Sequence, residues 1–147
     1  MTNEFKIDLH THSSISFDGG IGSGQYAKLL SENQNLYIAV TDHNDISLAL
    51  ELQHKHGERI IVGEEILTTD GEIIGLYLTE KIAAGLTAKE TIHKIKDQGG
   101  LVYIPHPLEK TRKGLSIETL LEISDAIDII ETFNARSKEG WLRAQIQ

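Results

Sequence analysis

Short apolar runs alternate with amphipathic stretches along the whole chain, and this alternation constrains the fold more than any other feature. Six apolar runs predict strands, at residues 5–9, 36–40, 60–62, 73–78, 101–104 and 126–131. The stretches between them have the spacing of amphipathic helices, and glycine-containing turns separate the two kinds of segment. Strands that alternate with helices, and that are themselves almost entirely apolar, indicate an α/β fold with a largely parallel sheet.

Capping signals mark where the predicted helices begin and end. Thr87-Ala88-Lys89-Glu90 is a capping box, so a helix is expected from there to Gly99-Gly100 with Ile92 and Ile95 facing the core. Ser116 is expected to cap a helix over 117–123. Further helices are predicted over 25–33, from Ser137 onward, and between Asn44 or Asp45 and Gly57 with one side formed by Ile46, Ala49, Leu50 and Gln53.

Composition limits the classes of function. A chain of 147 residues that is 39% hydrophobic can bury one modest core, which predicts a single domain over 1–147. The net charge of −8 disfavours binding to duplex nucleic acid, although carboxylates that hold metal ions would also make a sequence acidic. The absence of cysteine excludes disulfides and thiolate ligands. With neither an apolar span of membrane length nor a signal-like N-terminus, a cytoplasmic protein without membrane contact is expected.

Four of the seven histidines follow apolar strands. His10 and His12 end the first predicted strand, His43 follows the second, and His106 follows the fifth. Glu64-Glu65 follows the third. Because the carboxyl ends of parallel strands share one edge of a sheet, these groups are expected to converge, and their chemistry suits Zn, Mn or Fe. The other histidines lie in polar helical sequence and are predicted to be solvated, namely His54, His56 and His93.

The same motifs resemble a known family. They occur in the order and spacing of the PHP (polymerase and histidinol phosphatase) family and comprise Asp8-Leu9-His10-Thr11-His12-Ser13, Thr41-Asp42-His43-Asn44, Gly63-Glu64-Glu65-Ile66 and Tyr103-Ile104-Pro105-His106-Pro107. The segment over 130–136 is similar to the family's stretch after the sixth strand. The resemblance covers essentially the whole chain. It implies a metal-dependent phosphoesterase on a distorted (β/α)7 TIM-like barrel with up to three metal ions.

Carried over by position, the resemblance implies a ligand set. His10, His12 and Glu65 would hold one metal, and Glu65 would bridge to a second that His106 also binds. Asp18 and His43 would hold a third. Glu65 is expected rather than Glu64, because the family pattern places an aliphatic residue after the glutamate and strand alternation lets only one of the pair face the edge.

Other residues are expected to act around these ligands. Thr11 and Asp42 are predicted to orient imidazoles from behind. Arg112 and Arg136 are expected to bind phosphate oxygens, with solvated surface arginine as the alternative. Asn134 is expected to contact metal or substrate through its amide, with a structural cap as the alternative.

Two departures from the family pattern affect the expected activity. The family's strand after the glutamate often carries a histidine, which is absent from 71–74. Family members also have a late Asp-X-His motif, and nothing follows Gln147 here. We therefore expect an incomplete barrel of about six strands, truncated at the C-terminus relative to the family. It would be a fragment of a longer protein, a homo-oligomer whose neighbour covers the open edge, or a short form with little activity.

The sequence thus predicts hydrolysis of a phosphate ester of a small metabolite or nucleotide by a metal-activated water. Two alternatives stay open, a non-catalytic metal-binding or assembly fragment and a PHP-type exonuclease module. The negative charge and the low aromatic content of 5% argue against a duplex substrate.

Overall fold

A computed structural model describes residues 4–134, which form a curled, open half-barrel of six strands with four α-helices. The strands are β1 (Lys6–Thr11), β2 (Leu36–Val40), β3 (Ile60–Leu67), β4 (Glu72–Leu76), β5 (Leu101–Ile104) and β6 (Ile129–Ile130). The helices are α1 (Ser23–Glu32), α2 (Ser47–His56), α3 (Ala88–Asp97) and α4 (Ile117–Ile123). Arg136 and the helix predicted from Ser137 lie outside the described residues.

The six-stranded sheet has the strand order β1-β2-β3-β4-β5-β6. The expected α/β half-barrel is confirmed, but the expected parallel arrangement is only partly right, because β4 runs antiparallel to both β3 and β5. The reason is the turn over 68–71, in which the backbone N–H of Thr68 donates to the carbonyl of Gly71 (3.0 Å). A connection this short can join only antiparallel neighbours, since a parallel pair needs a long crossover.

The main core lies between the sheet and the helices. Alternate strand residues face outward toward the helices, as Ile38, Val40, Ile60 and Val62 do, and they are all buried. The residues between them face the inside of the half-barrel, where a smaller buried cluster contains Ala39, Ile61, Ile74, Leu76 and Tyr103. The sheet therefore has apolar residues on both faces, which explains why its strands read as continuous apolar runs.

The capping signals predicted α3 and α4 correctly. In α3 the hydroxyl of Thr87 accepts from the N–H of Glu90 (3.2 Å), and the carboxylate of Glu90 accepts from the N–H of Thr87 (2.9 Å). The hydroxyl of Ser116 accepts from the N–H of Thr119 (3.2 Å) at the start of α4. Within residues 4–134 the helices have at most ten residues, so none of them is long enough to span a membrane.

The prediction for α2 was partly wrong. The helix begins at Ser47, after Ile46, because Asp45 forms a local turn in which its carboxylate accepts from the N–H of Ser47 (2.7 Å). Its buried side contains Ala49 and Leu52, whereas Leu50, which was expected to face the core, is 39% exposed. The predicted sixth strand also shrinks to Ile129–Ile130, because a 3-10 turn precedes it over Ser124–Ala126.

Candidate metal centre

Polar side chains from all six strands and the loops that follow them meet at one edge of the half-barrel. The carboxyl ends of β1, β2 and β3 lie at this edge, and the reversed β4 brings its first residue to the same edge. One pocket is lined there by the side chains His10, His12, Asp18, His43, Glu65, Glu72, His106 and Glu131. Every residue that the sequence predicted as a metal ligand lines this pocket.

Glu65 lies at the centre of the cluster and is 1% exposed. Its Oε2 atom lies 3.3 Å from Nε2 of His10, 3.0 Å from Nε2 of His12 and 3.5 Å from Nδ1 of His43. Its Oε1 atom lies 3.0 Å from Nε2 of His106. Glu64 points to the opposite face of the sheet, where its carboxylate accepts from the N–H of Ile82 (2.9 Å). The structure thus places Glu65, and not Glu64, at the edge, as the family resemblance implied, and strand alternation puts the two on opposite faces.

His10 and His12 point the same way because they are two residues apart in extended backbone. Their Nε2 atoms are 3.0 Å apart, and each lies within 3.3 Å of the Glu65 carboxylate. Two nitrogen ligands of one tetrahedral ion, each about 2.1 Å from it, would lie about 3.4 Å apart. The spacing of these three donors therefore fits a shared cation.

A second group of donors contains His12, Asp18 and His43. The Asp18 carboxylate lies 3.3 Å from Nε2 of His43 and 3.7 Å from Nδ1 of His12. The donor atoms of this group all lie within 4.8 Å of one another. Asp18 and His43 are thus brought together as predicted, and His12 lies between them and Glu65.

Glu72 completes a third group, and sequence reasoning missed it. Its carboxylate oxygens lie 3.6 Å from Nδ1 of His43 and 3.5 Å from Nε2 of His106, and its side chain is buried. The expected pattern was a polar residue after an apolar strand, whereas Glu72 precedes one. The short turn over 68–71 is the signal that would have placed it, because a reversed β4 must begin where β3 ends.

Sequence reasoning also missed Glu131, although this residue lies within the segment 130–136 that resembles the family. Its carboxylate accepts from the N–H of His106 (2.6 Å), the hydroxyl of Tyr103 (2.9 Å) and the amide of Asn134 (3.0 Å). It also lies 3.0 Å from Nδ1 of His10. A carboxylate can only accept, so Nδ1 of His10 carries the proton and Nε2 faces Glu65, the arrangement typical of metal-binding histidines.

Asp42 and Thr11 are less direct partners of the imidazoles than predicted. The buried Asp42 carboxylate accepts from the hydroxyls of Ser13 and Ser16, both at 2.6 Å, and Ser16 Oγ lies 3.3 Å from Nδ1 of His12. Asp42 therefore reaches His12 through Ser16. For Thr11 the prediction needs correcting, because its hydroxyl lies on the opposite side of β1 and donates to the carbonyl of Ala39 (2.7 Å).

Arg112 and Asn134 lie side by side in the wall of the same pocket. Nη1 of Arg112 donates to the side-chain carbonyl of Asn134 (2.8 Å), whose amide donates in turn to Glu131. A chain of hydrogen bonds thus links Arg112 to the residue that orients His10. In contrast, His54 and His93 are exposed, as predicted, and His56 is half-buried.

Burial and mutual charge shift the pKa values of His10 and Glu65 strongly. Burial alone would lower the pKa of His10, but hydrogen bonds to Glu131 and Glu65 outweigh it and raise the pKa to about 9. Burial would raise the pKa of Glu65, but hydrogen bonds with His10, His106 and His12 hold it far below its usual range.

The pKa values of Glu131 and Glu72 are shifted in opposite directions. Burial opposes the shift of Glu131, yet hydrogen bonds from His10 and Asn134 lower its pKa to about 2. For Glu72, burial and the neighbouring charge of Glu65 together raise the pKa to about 8. Glu65 and Glu72 are two buried carboxylates that interact directly. Such a pair must share a positive charge, which a proton or a divalent cation can supply. Imidazole nitrogens and carboxylate oxygens together are a donor set that suits divalent transition metals, so the residues fit a metal centre.

The fold and the site together define a class of protein, a curled α/β half-barrel with a histidine–carboxylate cluster at one edge. No family model matches the chain. The chain is 37% identical to the uncharacterized protein MJ1587 of Methanocaldococcus jannaschii, over 92% of this chain and 85% of that protein, and it belongs to the same family. It is 34% identical to the uncharacterized protein MJ0417 of the same organism, but spans only 54% of that protein.

Three solved structures share the fold at low sequence identity. One is a two-domain protein from Bacteroides vulgatus containing a predicted PHP-like metal-dependent phosphoesterase, with a TM-score of 0.66 and 21% identity, over 87% of this chain and 44% of that one. A protein from Bifidobacterium adolescentis, proposed to be a metal-dependent phosphoesterase, has a TM-score of 0.69 and 15% identity, over 97% of this chain and 82% of that one. An amidohydrolase from Chromobacterium violaceum has a TM-score of 0.71 and 14% identity, over 96% of this chain and 82% of that one.

Proposed function

We propose that this chain is a PHP-type domain that hydrolyses a phosphate ester of a small metabolite or nucleotide with the help of divalent metal ions. The observation that carries the proposal is the convergence of four histidines on the buried carboxylate of Glu65. Two of the fold neighbours are described as metal-dependent phosphoesterases and a third as an amidohydrolase, which supports a metal-dependent hydrolase in general.

The proposed ligand sets follow the donor groups in the structure. His10, His12 and Glu65 would hold one ion, Glu65 and His106 a second, and Asp18 and His43 a third. Glu72 is within reach of the last two sets. Zn, Mn or Fe ions in such sets would neutralise phosphate charge and lower the pKa of a water molecule.

The protein's own residues would position the substrate. Arg112 is held by Asn134 in the pocket wall, so its guanidinium is oriented before a phosphate group arrives. A guanidinium can bind two phosphate oxygens at once, which suits the proposed role of Arg112. Arg136 is proposed for the same role on the basis of the sequence alone.

Metal content and phosphate release test this proposal together. The 147-residue chain would be incubated with Mn²⁺ or Zn²⁺, desalted and examined by elemental analysis, and then offered a panel of phosphate monoesters, phosphodiesters and short oligonucleotides. We expect at least one tightly held ion and release of phosphate from a monoester. His10→Ala should lose both, whereas His93→Ala, which changes an exposed helical histidine, should lose neither. Metal-free wild-type protein after the same treatment would contradict the proposal.

Amide hydrolysis is a second candidate, which the likeness to the Chromobacterium violaceum amidohydrolase favours. The same metal centre can serve acyl transfer as well as phosphoryl transfer, because both develop negative charge on oxygen. A parallel panel of N-acyl amino acids and dipeptides distinguishes the two. Amide cleavage that depends on His10, without phosphate release from any ester, would replace our proposal by this one.

A further inference from the structure

Phe17 places an exposed aromatic ring at the entrance of the metal centre. It directly precedes Asp18, its side chain is 89% exposed, and it lines the pocket. Its ring stacks on that of His43, with centroids 4.9 Å apart and an angle of 19° between the planes. His43 in turn stacks on His12, at 4.6 Å and 27°. Three rings thus form a stack that leads from the cluster toward solvent and ends in an open aromatic face.

A single exposed phenylalanine would be unremarkable by itself, because folded proteins expose many apolar atoms. Here the sequence has three phenylalanines, and all of them are exposed. Phe17 and Phe133 line the same pocket, and they follow β1 and β6, the two outermost strands of the sheet in the described part of the chain. Phe5 offers a contrast, since its ring packs edge-on against Tyr37, with centroids 6.0 Å apart, and does not line the pocket.

We propose that the exposed face of Phe17 is the binding surface for a flat aromatic or heteroaromatic group of the substrate. This inference rests on the proposed function, because it takes the metal cluster and Arg112 as the place where the phosphate binds. The two parts of such a substrate would then meet matching chemistry, with the anion at the metal ions and Arg112 and the flat ring on the end of the stack. Phe133 would border the same ring from the far side of the pocket.

A different role for Phe17 is conceivable on the same contacts, namely protection of His43 from water. The two roles have different consequences. Protection requires only an apolar group, so leucine would replace phenylalanine and every substrate would be affected equally. Stacking requires a flat ring, so only substrates that carry a ring would respond and tryptophan would be tolerated.

Adenosine 5′-monophosphate and ribose 5-phosphate are suitable probes because they have the same phosphate ester and differ by the adenine base. Dissociation constants for both would be measured by titration calorimetry on the 147-residue chain in Mn²⁺. The variants are Phe17→Ala, Phe17→Leu and Phe17→Trp, with Phe5→Ala as the matched control at an exposed phenylalanine outside the pocket. Phosphate release from both compounds would be measured in parallel.

We expect wild-type protein to bind adenosine 5′-monophosphate more tightly than ribose 5-phosphate. Phe17→Ala and Phe17→Leu should weaken the binding of the nucleotide about 5- to 150-fold, the range for loss of one base–aromatic stack. Binding of ribose 5-phosphate should stay unchanged in both, and Phe17→Trp and Phe5→Ala should behave like wild type.

Equal binding of the two probes by wild-type protein would overturn the inference, and so would an equal loss for both probes in Phe17→Ala. Neither result would affect the proposed function if phosphate were still released. Conversely, tighter binding of the nucleotide that depends on Phe17, without hydrolysis of any phosphate ester, would uphold the ring-binding surface and contradict the proposed function.

Discussion

The carboxylate of Glu131 lies 3.0 Å from Nδ1 of His10, and this contact determines which nitrogen of His10 faces Glu65. The same carboxylate accepts from the backbone N–H of His106. Glu131, which directly follows β6, therefore holds two candidate ligands, His10 of β1 and His106 in the loop after β5. Because Glu131 also accepts from Asn134, the position of Arg112 is coupled to the position of His10.

We expect Glu131→Gln to weaken metal binding about 10- to 100-fold without unfolding the protein. The amide preserves the size of the side chain but loses one acceptor, so His10 is no longer held with Nε2 toward Glu65. The measurement is a competition titration with a chelator and Mn²⁺ or Zn²⁺. Glu80→Gln, the same change at an exposed position, is the control and should leave the affinity unchanged. An unaltered affinity in Glu131→Gln would show that the contact does not support a metal site.

Glu64 and Glu65 give a test of strand register, since they are neighbours on opposite faces of β3. We expect Glu65→Gln to reduce bound metal to background, because the carboxylate between four histidines is lost. Glu64→Gln should keep its metal. Its carboxylate accepts from Ile82 on the helix side, and burial raises its pKa to about 7, so a neutral amide of the same shape fits. Elemental analysis of both variants is the measurement, and similar metal contents would mean that the register is wrong.

The sequence predicts the ligands on parallel strands well, for a physical reason. Side chains alternate along a strand and carboxyl ends of parallel strands coincide, so His10, His12 and one of the pair Glu64 and Glu65 could be placed at one edge from the sequence. The family resemblance then selected Glu65. The capping box at Thr87 was likewise local information, and it fixed the start of α3 within one residue.

What the sequence could not place depends on nonlocal geometry. Glu72 reaches the cluster only because β3 extends to Leu67 and turns back within a few residues, whereas the apolar pattern ended that strand at residue 62. Glu131 lies at the cluster because β6 pairs with β5, which no local pattern reveals. Leu50 was expected on the core side of α2, but that side contains Ala49 and Leu52, and the helix begins at Ser47 because Asp45 forms a turn instead of capping it.

Glu72 adds a third carboxylate to the candidate ligands, beside Glu65 and Asp18. We expect Glu72→Gln to weaken metal binding by about tenfold or more, because a charged oxygen donor near His43 and His106 is replaced by a neutral one. The loss should be larger for Mn²⁺, which prefers carboxylate ligands, than for Zn²⁺, which imidazole binds well. Parallel titrations of wild type and variant with both ions measure this difference. An equal loss for both ions would leave Glu72 without a role in metal preference.

Metal binding should also stabilise the fold, because the cluster joins β1, β3, β4 and the loop after β5 around buried like charges. A ligand present at 100 times its dissociation constant adds about 2.7 kcal/mol to the free energy of unfolding, which corresponds to a rise in Tm of roughly 5–11 °C for a domain of this size. We expect such a rise with Mn²⁺ or Zn²⁺ and its reversal by a chelator.

Thr87→Ala should lower the stability by about 1 kcal/mol through loss of the α3 cap, yet gain as much from metal as wild type does. His12→Ala should gain little or nothing. Differential scanning fluorimetry with and without metal separates the three cases, and a metal-dependent rise in His12→Ala equal to that of wild type would place the stabilising ion elsewhere.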